Sequence, residues 1–148
     1  MAIQSDIGPI VDLRRSGDAL HFRASSQTDS LARAVDLCRE FLADSGVADC
    51  SAPAVVFREL IVNAMVHGNR ASVSRFVTVD LERIGQGNFR FAVQDEGPGF
   101  NPDCIETEPS LDGQGRIRRK GYVLVTALTE KVEFQEGSSR VTVTFLAQ

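Results

Sequence analysis

The stretch Glu59-Leu60-Ile61-Val62-Asn63-Ala64-Met65-Val66-His67-Gly68-Asn69 decides how this chain is read. Together with Val55, Val56 and Phe57 its apolar residues occupy more than one helical face, which predicts a core helix from about Ala54 to His67. Glu59, Asn63 and His67 interrupt the apolar run at intervals of four, the spacing that places them on one face. A carboxylate and an amide on such a helix cost free energy unless they meet partners or a ligand. The carbonyl oxygen of Asn63 suits a hard cation such as Mg2+. Glu59 suits the activation of a hydroxyl or a water. The alternative is internal: Glu59 paired with a basic side chain, Asn63 tied to a loop, His67 satisfied in the core. Gly68 and Asn69, residues able to take left-handed geometry, end the helix.

Working outward, Ala19–Ala24 alternates as a strand, with Leu20 and Phe22 on one side. Asp29 or Ser30 is a candidate cap for a helix from about Leu31 to Asp44. Its stripe is Leu31, Val35, Cys38 and Leu42, with Ala34 and Phe41 beside it, and Ser45–Pro53 reads as a loop. Beyond the central helix, Arg75–Arg83 and Asn88–Gln94 form a hairpin turning at Gly85-Gln86-Gly87. From Glu96 to Lys120 periodicity disappears, as in a functional lid or mobile loop. A helix resumes near Gly121–Thr129. A second hairpin, Lys131–Gln135 with Arg140–Leu146, turns at Glu136–Ser139. Hairpin-paired strands with helices grouped between them predict an α+β fold, a two-layer sandwich with helices on one face of a mostly antiparallel sheet. At 148 residues the expected organisation is one domain spanning 1–148.

Two further motifs carry chemistry. Asp95-Glu96-Gly97-Pro98-Gly99-Phe100 follows a strand. Asp95 can accept a hydrogen bond from an exocyclic amine, and Gly97 and Gly99 let the backbone approach a flat ring. A tight turn that merely needs glycine would read the same way. Gly113-Gln114-Gly115-Arg116-Ile117-Arg118-Arg119-Lys120-Gly121 leads into a helix, and reads either as a phosphate cradle or as a solvated basic loop. The order and spacing of the three segments point to a nucleotide.

A net charge of -4 argues against nucleic acid as the main partner. No apolar run approaches the roughly 20 residues that span a bilayer. Met1–Ile10 lacks the basic start and long apolar stretch of a signal peptide, so the expected compartment is the cytoplasm. Cys38, Cys50 and Cys104 form no CxxC pair and no metal-ligand pattern with His21 or His67, and are expected to be reduced thiols.

These motifs resemble those of the GHKL ATPases, the family of gyrase, histidine kinases and mismatch-repair ATPases that shares the Bergerat ATP-binding fold. E-L-I-V-N-A-M-V-H-G-N is similar to the family's N box, and D-E-G-P-G-F to its first glycine box. Within the family the chain most resembles the small anti-sigma-factor serine kinases, whose N box reads E-x-x-x-N-A-x-x-H-G. The similarity runs from about Ala19 to Leu146. It implies ATP and Mg2+ as cofactors, with Glu59 as general base, Asn63 as the Mg2+ ligand and Asp95 as the adenine reader. Gly97 and Gly99 would shape the adenine pocket. At the second glycine box, where these kinases read near G-x-G-L or G-x-G-M, the chain has Arg119-Lys120-Gly121-Tyr122, so Gly121 alone matches clearly. Arg119 and Lys120 are candidate phosphate contacts there. The resemblance implies a serine/threonine kinase that binds a sigma factor, phosphorylates a STAS-type antagonist and forms a homodimer. A non-catalytic, nucleotide-gated binding module is the competing expectation, and a detached histidine-kinase catalytic domain a third.

Overall fold

Period-two burial along the strands and a helical stripe above them build the two layers. The computed structural model describes residues 2–3, 10–97, 124–135 and 137–147. Its strands are β1 (Ala2–Ile3), β2 (Ile10–Arg15), β3 (Ala19–Ser25), β4 (Phe76–Gly85), β5 (Asn88–Gln94), β6 (Lys131–Phe134) and β7 (Val141–Leu146). The helices α1 (Thr28–Asp44) and α2 (Ser51–Val62) lie between β3 and β4, and residues 124–128 are helical. The strands form one seven-stranded sheet in the order β1-β2-β3-β4-β5-β7-β6, antiparallel at every junction. The architecture is the expected α+β sandwich.

Register places the core. Leu20, Leu81, Phe91, Val143 and Val132 form one row across five strands, and Phe22, Val79, Val93, Val141 and Phe134 the next. Helix α1 covers these rows with Ala34, Leu37, Cys38, Phe41 and Leu42, and α2 with Val56, Phe57, Leu60 and Ile61. Phe57 fixes α2 to the sheet: its ring lies 4.6 Å from that of Phe91 and 5.8 Å from that of Phe145. Such aromatic pairs add about 0.5–1.5 kcal/mol to the apolar burial. The opposite face is polar, with Arg14, His21 and Asp80 in register on β2, β3 and β4.

Several boundaries differ from expectation for local reasons. Helix α1 starts at Thr28 after Gln27, not at an Asp29 or Ser30 cap. The Ser30 hydroxyl is instead bonded to that of Ser25 at 2.8 Å, while Asp29 lies in the first turn, where negative charge favours the helix. Leu37 belongs to the buried stripe, whereas Leu31 and Val35 are only partly buried. Helix α2 starts at Ser51 rather than Ala54 because the Asp49 carboxylate accepts the Ser51 N–H at 2.9 Å and also its hydroxyl. Pro53 then sits in the first turn, where a missing N–H breaks no helical bond. Nor is α2 enclosed on all sides, since Val55 is 37% exposed. Strand β2 escapes sequence reading because Asp12 has φ 55° and the register shifts between Val11 and Arg14. That bulge destroys the alternation by which a strand is recognised.

The two glycine turns are where expected, with Gly87 at φ 75° and Gly137 at φ 73°. Cys38 is buried and Cys50 partly so, both as free thiols, and burial pushes the Cys38 thiol far up. Cys104 lies outside the described residues. Among the described residues no helix is long and apolar enough to cross a membrane.

Candidate functional site

Helix α2 runs on into a π-helical turn, Asn63–Gly68. The Asn69 N–H reaches back five residues to the Ala64 carbonyl at 2.8 Å, and the Ala71 N–H reaches the Met65 carbonyl at 2.8 Å. Such turns are rare and concentrate at functional sites. The three polar residues differ in burial. Asn63 is buried, Glu59 half-buried one turn before it, and His67 exposed. Glu59 and Asn63 thus stand one turn apart with Asn63 in the interior, and His67 lies at the surface.

The helix also ends differently from expectation. Asn69 has φ -89°, and the left-handed geometry falls on Arg70 and Ala71 at φ 53° and 55°. Gly68 is required for space instead. A Cβ on it would lie 1.9 Å from Asp95 Oδ2 and 2.2 Å from Asp95 Cγ.

Asp95 follows β5 and is 8% exposed. Its Oδ1 accepts the Gly97 N–H at 2.7 Å, and its carbonyl accepts the Ser139 hydroxyl at 2.6 Å, just ahead of β7. A Cβ on Gly97 would lie 2.5 Å from the Gly68 carbonyl and 2.9 Å from Asp95 Oδ1. The end of the N-box helix and the first glycine box, 27 residues apart from Gly68 to Asp95 in the chain, therefore meet at a spot with room only for hydrogen. Asn69, fully buried, completes the junction through hydrogen bonds to Ser26, Phe76 and Glu96. Sequence reading placed Asn69 only as a helix terminator and passed over Ser139. An amide directly after a helix-ending glycine was the one available signal.

The N-box helix leaves an unpaired polar group for a ligand. Among the described residues Asn63 Nδ2 is the one buried side-chain polar atom with no hydrogen-bond partner. An orphaned amide is costly, about 1–3 kcal/mol, unless it serves a ligand. Glu59 likewise has no hydrogen bond or ion pair among the described residues, so the internal alternative of a paired Glu is not realised there. No group of three or more His, Cys, Asp or Glu side chains that could hold a metal occurs among the described residues. A Mg2+ ion on Asn63 would therefore complete its shell with phosphate oxygens and water. Gly99, Arg119, Lys120, Gly121 and most of the expected lid at 96–120 lie outside the described residues.

Compared with individual curated proteins, the chain has no significant match. The family model described as histidine kinase-like ATPase domain matches residues 24–146, from β3 through β7. With that match over most of its length, and with an N-box helix packed on an Asp-Gly turn, the chain belongs to the histidine kinase-like ATPase domain family, whose function is ATP binding of the kinase type.

Proposed function

We propose that this chain is a Mg2+-dependent serine/threonine protein kinase that acts as an anti-sigma factor, binding a sigma factor and phosphorylating a STAS-type antagonist as a cytoplasmic homodimer. The observation that carries the reading is the E-x-x-x-N-A-x-x-H-G helix, in which Glu59 and Asn63 lie one turn apart and neither is consumed by a partner among the described residues. Bound MgATP would supply the phosphoryl group and the charge neutralisation of its phosphates. In this reading the residues divide the work. Asp95 accepts the adenine amine, Gly68 leaves room for its carboxylate, Gly97 helps shape the adenine pocket, and Asn63 holds the metal. By resemblance, Gly99 would belong to the adenine pocket and Arg119, Lys120 and Gly121 would serve the phosphates. Glu59 takes the proton from the attacking hydroxyl, an effect worth about 10²–10⁴-fold in rate.

The test is transfer of labelled phosphate from ATP to a candidate antagonist, by the unmodified chain and by Glu59→Gln. The substitution keeps shape and removes the base, so ATP affinity and sigma-factor binding are retained while transfer collapses. Normal transfer by Glu59→Gln would make Glu59 structural. One observation favours a second reading: with Gly121 alone matching the second glycine box, a nucleotide-gated binding module without transfer is the alternative. Nucleotide-dependent partner binding with no transfer to any antagonist would select it.

A further inference from the structure

Asn69 is fully buried, and both polar atoms of its amide are bonded. Oδ1 accepts the Glu96 N–H at 2.7 Å, and Nδ2 donates to Ser26 Oγ at 3.0 Å and to the Phe76 carbonyl at 3.1 Å. The Ser26 hydroxyl in turn donates to the Arg75 carbonyl at 2.9 Å. The amide is therefore anchored on one side to the end of β3 and the start of β4, and on the other side holds Glu96.

The Glu96 N–H belongs to the same peptide unit as the Asp95 carbonyl. That carbonyl accepts the Ser139 hydroxyl at 2.6 Å. One rigid plane is thus gripped at both of its polar atoms, by Asn69 from the N-box helix and by Ser139 from the approach to β7. A plane held in this way is kept from rotating, which sets the direction of the Asp95 Cα, and the Gly97 N–H on Oδ1 at 2.7 Å then holds the carboxylate on that fixed stem.

The strands need neither bond, because backbone ladders already pair β3 with β4 and β5 with β7. Asn suits the position chemically. It offers an acceptor to Glu96 and two donors to the other side, whereas Asp would set an acceptor against the Phe76 carbonyl and Ala would leave the Glu96 N–H without its partner.

We propose that Asn69 and Ser139 are positioning residues that clamp the Asp95–Glu96 peptide and so set the preference of the site for adenine over guanine. This rests on the reading of Asp95 as the acceptor for the adenine amine. An ionised carboxylate rewards the exocyclic amine of adenine and repels the carbonyl oxygen of guanine, but only while it is aimed at that edge of the ring.

Calorimetry with ATP and with GTP tests the clamp in the unmodified chain, Asn69→Ala, Ser139→Ala and a distant core control, Leu42→Val. Each clamp variant is expected to lower the ratio of ATP to GTP affinity about tenfold, the equivalent of about 1.4 kcal/mol. The control loses stability but keeps the ratio, which separates aiming from general loosening. Should Asn69→Ala fail to fold, Ser139→Ala decides alone. A folded clamp variant with the unmodified ratio overturns the proposal while leaving Asp95 as the adenine reader. Equal affinity of the unmodified chain for ATP and GTP overturns both.

Discussion

Replacing Gly68 by alanine tests how the nucleotide site is assembled. The added Cβ would stand 1.9 Å from Asp95 Oδ2, and ordinary contact begins near 3.4 Å, so the carboxylate must retreat by about 1.5 Å. It has little freedom to do so. Gly97 N–H holds Oδ1, and Ser139 and Asn69 hold the peptide that follows. Gly68 is not in the left-handed region, so the substitution carries no backbone strain and its effect is steric. Overpacking of this kind costs about 1–3 kcal/mol in stability. A hydrogen bond from the adenine amine to a carboxylate, worth about 1.5–3 kcal/mol, would be lost with the displacement. ATP affinity should then fall about 10- to 150-fold. Gly17→Ala is the matched control, since nothing lies within 4 Å of the Cβ it adds. Calorimetry with MgATP, beside urea denaturation of both variants, reads the two effects separately. If Gly68→Ala binds ATP as tightly as Gly17→Ala does, the packing of the N-box terminus on Asp95 does not form the site.

Asn63→Leu should raise the stability of the nucleotide-free chain by about 1 kcal/mol in urea, because it removes an orphaned donor from a buried place. The same variant should bind ATP no better with Mg2+ than without it, and calorimetry showing a retained Mg2+ dependence would remove Asn63 from the metal site. At the start of α2 the Ser51 hydroxyl, and then its N–H, hold the Asp49 carboxyl below its ordinary 3.8. A depressed folded value contributes stability that is present above pH 3.8 and is lost as pH falls through the lower folded value. Asp49→Ala should therefore lose stability less steeply than the parent over that acid window in thermal melts, and identical slopes would contradict a stabilising Asp49–Ser51 bond.

Where the sequence was legible, the signal was local. The alternation of Leu20 with Phe22 needs only the period of a strand, and the packing of α2 needs only an apolar run of helical length. The residues flagged for chemistry were legible for a related reason: Glu59 and Asn63 are polar on an apolar helix, and Asp95 stands between a strand and a glycine. Where the reading failed, a local irregularity had broken the regular helix or strand pattern. The bulge at Asp12 hid β2, the hydroxyl of Ser25 drew Ser30 away from capping, and a π-turn replaced the α-helical end in which His67 stands.

The sequence by itself determined the α+β class, the antiparallel hairpins and the identity of the Glu59–Asn63 and Asp95–Gly97 segments, because hydrophobic period and turn chemistry act over a few residues. Tertiary structure alone decided what Gly68, Asn69 and Ser139 are for. Gly68 makes space for a carboxylate, and Asn69 and Ser139 hold the peptide behind it. Their partners lie 27 and 44 residues away for the two hydrogen bonds, and only the pairing of β5 with β7 and the docking of α2 bring them within reach.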